Sequence, residues 1–413
     1  MREKLRINSK RLWDNLYELS EIGKQKDGGI YRMAFSPADM EARDWLCQKI
    51  KKAGLENFQD GALNVYGKLP VQDSSIPSVI TGSHIDTVPN AGALDGALGV
   101  IVALECLQVI KENNVAHKYP LELVAFSDEE GRFGPMFGSK SFIGDMTPGN
   151  LLESTDLKNN KLIDVLTNLG YDPNKALEAA RDPKTIKYYL ELHIEQGPVL
   201  DSTNKEVGVV SDITGLFKWQ VTLSGSANHA GTTPMDMRND AFMGLADFAH
   251  EIPRIIEENG SEHSRMTIGM VQLYPGSANT IPEKVRFSMD VRDVSEEVMH
   301  ELKNASRKVL SAIARRKKLM FDFEEINWIS PVSCEPVLKA CIKEQAENLG
   351  LNYHIMPSGA AHDAQMVAKI APAAMIFVPS KAGISHSMHE WTDWRDIEAG
   401  ANLMLQTLLK LTE

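Results

Sequence analysis

Cysteine is scarce in this 413-residue chain: Cys47, Cys106, Cys334 and Cys341 stand far apart, and no C-x-x-C pair occurs. That argues against a disulfide framework or a thiolate metal site, and for buried free thiols in a reducing compartment. Long apolar runs are also missing, since none approaches the ~20 residues of a membrane-spanning helix. The opening Met1-Arg2-Glu3-Lys4-Leu5-Arg6 is too polar for a secretory leader, so a cytoplasmic location with no membrane partner is expected. Positive charge is short as well: 44 Lys and Arg against 56 Asp and Glu leave a net charge of −12. Nucleic acid is not an expected partner, because binding phosphate requires clustered cations. The basic cluster Arg315-Arg316-Lys317-Lys318 closes a helical pattern, where it complements the helix dipole.

What is present is the composition of a folded protein, with 43% hydrophobic and 24% charged residues, which rules out extensive disorder. The length exceeds what one core usually supports, so two domains are expected. Leu12, Leu16, Leu19 and Ile22 recur at helical spacing. Ser36-Pro37-Ala38-Asp39 reads as a helix N-cap, a first-turn proline and a capping-box acid, and Gly54 as the matching stop. Apolar strands at 79–80 and 121–126 then alternate with a buried helix at 100–110, which implies an α/β sheet covered on both faces, with function at the strand ends.

The pattern changes near residue 211. Phe217, Trp219, Val221 and Leu223 alternate with polar residues, as do Val285, Phe287, Met289 and Val291, which marks strands with one face on a core and the other solvated. Amphipathic helices at about 239–258 and 296–316 lie in the same block. After about residue 329 the α/β pattern resumes, with a helix at 335–349 and a strand at 373–378. The expected fold is α/β in two domains. Residues 1–210 and 329–413 form a discontinuous catalytic domain with a mixed sheet, and residues 211–328 an inserted α+β domain.

The chemistry lies beside the apolar runs. His84 and Asp86 in Gly82-Ser83-His84-Ile85-Asp86-Thr87 follow the first strand, and Asp95-Gly96 follows shortly after. Imidazole and carboxylate at a strand end suit a borderline divalent cation. Asp86 is placed to hold the second nitrogen of His84, and Asp95 can bridge two cations, with Gly96 allowing close backbone approach. Taken alone, a His-x-Asp also fits a hydrogen-bonded surface turn. Asp128-Glu129-Glu130-Gly131 ends the next strand, and three consecutive acids repel one another unless cations or solvent relieve them. Adjacent side chains in extended backbone diverge, so Glu130 is assigned to metal and Glu129 to general acid/base work; a solvated acidic turn is the plainer reading. His193, on a strand with Glu195 sharing its face, and His386 in Gly383-Ile384-Ser385-His386 complete the candidates, although single histidines of this kind are more often structural.

In order along the chain, the motifs GSHIDT, ALDG, SDEEGRFG, ELHIEQGPVLD, ANHAGTTPM, ANTIPEKVRFSMDVRD, SGAAHDA and FVPSKAGISHS resemble the N-carbamoyl-L-amino-acid amidohydrolase family. That family of binuclear metallohydrolases includes allantoate amidohydrolases and β-ureidopropionases, and is more distantly related to aminoacylases and carboxypeptidase-G-type peptidases. The resemblance implies a di-zinc exopeptidase-like catalytic domain with a lid and dimerisation domain inserted, acting as a homodimer. It implies two divalent ions per subunit (zinc, or manganese, cobalt or nickel), one held by His84, Asp95 and His193 and the other by Asp95, Glu130 and His386. It gives Glu129 the role of base, and His229 that of an oxyanion donor reaching across the dimer. Asn279 and Arg292 would grip the substrate carboxylate, and Gln196 would lie near the scissile carbamoyl group. Read from the residues alone, Arg292 between Asp290 and Asp293 is a surface ion pair. His362 either lines the substrate pocket or merely precedes a helix begun by Asp363. The implied substrate is a small ureide or amide carrying a carboxylate, and His193, where the peptidases often place an acid, favours the ureide. Ala360, Met388 and the short Glu130-Gly131-Arg132 spacing depart from commoner family patterns without touching a ligand.

Overall fold

The computed structural model describes residues 5–413, so the polar positions 1–4 at the start of the chain lie outside the described residues. In chain order the strands are β1 (Glu56–Gln59), β2 (Val65–Leu69), β3 (Ser78–His84), β4 (Leu121–Phe126), β5 (Ile186–Ile194), β6 (Val207–Ile213), β7 (Gly215–Ser224), β8 (Arg265–Thr267), β9 (Val271–Tyr274), β10 (Lys284–Asp293), β11 (Met320–Ile329), β12 (Val332–Ser333), β13 (Tyr353–Ser358) and β14 (Ala373–Val378). The chain divides into two compact units, Met1–Ser211 with Cys334–Glu413, and Asp212–Ser333.

The first unit is built on a mixed sheet in the order β1-β2-β4-β3-β5-β14-β6, with β13 beside β6. Its centre is parallel: β3 pairs with β4 and β5, and β14 with β5, while β2 and β6 run antiparallel to their neighbours. Strands β3, β4 and β14 are buried along their whole length, as continuous apolar runs require when helices cover both faces. Glu122, the second residue of β4, has no exposure, which is tolerable because Arg181 donates to both its oxygens at 3.0 Å and Ser78 Oγ donates at 2.6 Å. The helix Ala97–Glu112 is buried nearly all round, and each large aliphatic side chain it sequesters contributes roughly 1.5–3 kcal/mol.

Local signals act as expected, with one exception. Leu12, Leu16 and Leu19 are buried by the helix Ser9–Glu21. Ser36 caps Pro37–Lys52 by accepting from the Asp39 amide. Asp39 does not close a capping box onto Ser36, however; it accepts from the Phe35 amide at 2.8 Å and pairs with the buried guanidinium of Arg43 at 2.9 Å. The buried Arg43 charge decides the matter, since it is fully enclosed and needs a counter-ion.

The second unit is an antiparallel sheet, β11-β7-β10-β8, with β9 also on β10. Register places Val285 opposite Leu223, Phe287 opposite Val221, Met289 opposite Trp219 and Val291 opposite Phe217. These eight side chains form one buried face against Phe248 of the helix Ala241–Asn259 and Met299, Leu302 and Leu310 of the helix Glu296–Lys317. The period-2 alternation is therefore the core pattern of this unit. Among the described residues no helix is long and apolar enough to cross a membrane, and all four cysteines are free thiols.

Candidate metal centre

Four parallel strands of the first unit end on the same side of the sheet, and each end supplies a candidate ligand. His84 is the last residue of β3 and lies opposite Phe126, just before the Ser127–Glu130 turn that follows β4. His193 lies opposite Phe377 in the β5–β14 register, and the loop after β14 carries His386. Asp95 stands in the turn that opens the helix Ala97–Glu112.

The ligand atoms converge. His84 Nε2 and His193 Nε2 lie 3.7 and 3.1 Å from Asp95 Oδ1, whereas His386 Nε2 lies 3.3 Å from Asp95 Oδ2 and 3.5 Å from Glu130 Oε2. Each oxygen of the Asp95 carboxylate thus faces a different set. The atoms of His84, Asp95 and His193, and those of Asp95, Glu130 and His386, each fall within 4.8 Å of one another, so each triad could hold a metal ion. Glu129 Oε2 is 3.5 Å from His84 Nε2, and a further grouping joins His84, Glu129 and Glu130.

The surroundings aim these groups. His84 Nδ1 is 3.0 Å from the Asp86 carbonyl and His193 Nδ1 is 2.8 Å from the Ile194 carbonyl, and a proton at Nδ1 of each ring leaves Nε2 available to a metal ion. Asp86 therefore orients His84 with its backbone oxygen and not its carboxylate, which is 3.9 Å away. That carboxylate instead accepts from the amides of Glu129 and Glu130 at 3.4 and 3.2 Å, fixing the turn that presents both acids. Gly96 has φ 62° and ψ −49°, in a γ-turn closed by the Ala97 amide on the Asp95 carbonyl at 2.6 Å. A Cβ at Gly96 would stand 2.3 Å from His84 Nε2, so only glycine lets this turn pass the ring. Asp128, Gln196 and His386 also hold positive φ (49°, 57° and 53°), a concentration of strained backbone typical of functional sites.

Charge within the cluster is unbalanced without cations. Glu129 and Glu130 are pushed well above the usual carboxylate range, first by burial and then by neighbouring carboxylates, Glu130 and Asp363 on the one and Asp95 and Asp86 on the other. Burial opposes ionisation of Asp95 too, yet the neighbouring imidazoles of His193 and His386 hold it well below that range. Burial brings His84 down to about 4, against the pull of Asp95. Glu130 Oε1 and Gln196 Oε1 are buried without a hydrogen-bond partner. A buried set of imidazoles and carboxylates with orphaned oxygens is a donor set that fits divalent cations.

The other candidates fall in distinct places. Gln196 Nε2 donates to Asp95 Oδ2 at 2.8 Å and lies 3.4 Å from His386 Nε2, which puts it at the cluster. Glu195 is not beside His193: β5 ends at Ile194, and the Glu195 carboxylate turns away to accept from the amides of Val199 and Leu200. Glu191, two residues before His193 and on its face, takes that place and groups with His193 and His362. His362 is buried, with its ring centroid 4.5 Å from that of His193 and Nε2 2.9 Å from Ser358 Oγ, so it packs against the ring of a candidate ligand. Asp363 begins the helix Asp363–Val367. His229, Asn279 and Arg292 belong to the second unit. There Asn279 O accepts from the Ala230 amide, next to His229, and Arg292 Nε pairs with Asp290 at 2.9 Å. His229 Nδ1 accepts from the amides of Gly231 and Thr232, which leaves its exposed Nε2 as a proton donor.

Comparison with known proteins places this arrangement among relatives. The model of peptidase family M20/M25/M40 matches residues 80–410. The chain is 38% identical to an N-carbamoyl-L-amino acid amidohydrolase of Geobacillus stearothermophilus over 98% of its own length and 99% of the relative's. It is 35% identical to an allantoate amidohydrolase of Bacillus subtilis, with 99% of each chain covered. A solved amidase of the hydantoinase/carbamoylase family from Burkholderia multivorans superposes with a TM-score of 0.90 at 33% identity, covering 99% of this chain and 98% of that one.

Proposed function

The chain belongs to peptidase family M20/M25/M40, and from that premise we propose that it hydrolyses the carbamoyl C–N bond of N-carbamoyl-L-amino acids, releasing amino acid, ammonia and carbon dioxide. The observation that carries this reading is Asp95, whose two oxygens face separate ligand triads beside Glu129. In it His84, Asp95 and His193 would hold one divalent ion, and Asp95, Glu130 and His386 would hold a second. When bound, zinc, manganese, cobalt or nickel supplies Lewis acidity that polarises the carbamoyl oxygen and makes water easier to deprotonate.

The chain's own groups carry the rest. A Glu129 carboxylate oxygen takes the proton of the attacking water and returns it to the leaving nitrogen as one C–N bond breaks, so the residue ends the cycle as it began. The carbamic acid left behind then breaks its remaining C–N bond to give carbon dioxide and the second amine. Without cations, burial and neighbouring carboxylates raise its proton affinity; two ions held beside it would lower that affinity and leave a carboxylate able to take the proton. His229, with its proton at Nε2, donates to the developing oxyanion from the partner protomer of a homodimer. Arg292 and Asn279 grip the substrate carboxylate, and a guanidinium fork matches that group bidentately. Gln196 orients the carbamoyl group. The enzyme works in the cytoplasm.

A second reading, allantoate hydrolysis, is favoured by the full-length allantoate amidohydrolase relatives. Allantoate offers the same carboxylate and carbamoyl group with one further ureido arm. An ammonia-release screen over N-carbamoyl-L-amino acids, N-carbamoyl-β-alanine and allantoate, with manganese and zinc added separately, decides between them. The highest kcat/KM is expected on an N-carbamoyl-L-amino acid. A higher value on allantoate moves the assignment to the second reading, and no ammonia from any of them refutes both.

A further inference from the structure

The His386 triad poses a mechanical problem. Its imidazole is half exposed, whereas Asp95 and Glu130 are nearly enclosed. It stands on a loop that leaves β14 and is closed at its base by the Lys381 amide on the Trp391 carbonyl and by Thr392 Oγ1 on the Pro379 carbonyl at 2.7 Å, while the Asp201 carboxylate accepts from Lys381 Nζ and the Ala382 amide at 2.9 Å. Asp95 comes from a different loop, nearly 300 residues earlier in the chain. Two ligands of one ion must keep their separation to within about 0.5 Å, so something must register these loops against each other.

Glu390 spans that gap. It is 6% exposed, and none of the motifs quoted above contains it. Its Oε1 accepts from the amides of Leu94 and Asp95 at 3.0 and 3.1 Å. Its Oε2 is 3.0 Å from Ser385 Oγ, the residue before His386, and the same hydroxyl lies 3.0 Å from Asp95 Oδ2. A serine has one proton to donate, so the two carboxylates share it, and Ser385 stands between them. Gly92 allows the approach: a Cβ there would sit 2.4 Å from Glu390 Cβ. One carboxylate therefore holds the backbone of the Asp95 loop with one oxygen and the base of the His386 ligand with the other.

We propose that Glu390 is a positioning residue that sets the distance between Asp95 and His386, and that Ser385 transmits it. The proposal rests on the metal-centre reading above. It acts mainly on the His386 triad: Asp95 belongs to both triads, but in the other one His84 and His193 are located by their own strands and by the Asp86 and Ile194 carbonyls.

The test titrates zinc or manganese alone into chelator-stripped protein, by competition with a fluorescent chelator, for the unaltered chain, Glu390→Ala, Glu390→Gln and Ser385→Ala. The unaltered chain takes up two equivalents. Glu390→Ala weakens the second by about 10–100-fold, the range found when partners that orient ligands are removed, and leaves the first within about threefold. Glu390→Gln recovers most of the loss, since its carbonyl oxygen still accepts the two amides and its amide group can donate to Ser385. Ser385→Ala, a smaller perturbation that keeps the amide contacts, weakens only the second equivalent. The melting temperature of the stripped protein stays level across the set. Equal binding of both equivalents by Glu390→Ala and Ser385→Ala overturns the proposal while leaving the metal centre standing. So does a parallel loss of both equivalents that tracks a fall in the stripped melting temperature, which would mark a merely structural role. An unaltered chain that binds no divalent ion overturns the metal-centre reading, and this proposal with it.

Discussion

Replacing Gly96 by alanine tests the construction of the centre without removing a ligand. The added Cβ would lie 2.3 Å from Cε1 and Nε2 of His84 and 2.5 Å from Cδ2. Ordinary carbon contacts lie at about 3.5–4 Å, so ring and turn must part by roughly 1 Å, beyond the ~0.5 Å tolerance of a ligand constellation. The φ of 62° adds about 1–2 kcal/mol of backbone strain for any L-residue, and overpacking a rigid site adds about 1–3 kcal/mol. Urea denaturation of chelator-stripped protein should therefore show a loss of about 2–5 kcal/mol. Zinc or manganese titration should show the His84 triad weakened at least about tenfold. A variant within about 0.5 kcal/mol of the parent, binding both equivalents with parental affinity, would refute the close approach of turn and ring.

Three further outcomes are expected. Glu129→Gln should lower turnover by about 10²–10⁴-fold with metal content unchanged, and near-normal ammonia release would remove Glu129 from the chemistry. His229→Ala should cost about 10²–10³-fold in kcat, again with metal retained, as loss of an oxyanion donor does; an effect on KM alone would point to substrate binding. Asp156 bears on acid stability: burial would raise its pKa, but donors from Asn160, Lys158 and Arg132 prevail and bring it down to about 2. Its folded pKa is thus depressed, so its contribution is present above the unfolded value near 4 and is lost as pH falls from there towards 2, by about 2 kcal/mol at most. Acid unfolding of Asp156→Asn against the parent should show that difference at pH 6 and none near pH 2; equal stability at pH 6 refutes it.

How far the site could be read along the chain depended on the range of the forces involved. His84, Asp95, Glu129 and Glu130 were legible because each follows an apolar run whose end is local information. Glu195 misled, since a period-2 pattern does not say where β5 stops, and two helical amides claimed the carboxylate once it did. Asp39 misled in the same way, because its demand comes from Arg43, a charge buried by the whole fold. Glu390 carried no signal, for its partners Leu94 and Asp95 lie nearly 300 residues away. Asp86 was legible as a partner of His84, but the choice of carbonyl over carboxylate is a matter of a fraction of an ångström.

Residue order by itself determined the α/β character of the first unit, the antiparallel core of the second, and the kinds of ligand at each strand end. These follow from side-chain period and donor chemistry, which act over a few residues. Only the tertiary structure decided that the ends of β3, β4, β5 and β14 meet, and that Asp95 turns one oxygen to His84 and His193 and the other to His386. Parallel pairing brings residues hundreds of positions apart to one edge, and a carboxylate is shared between two triads only where that edge closes around it.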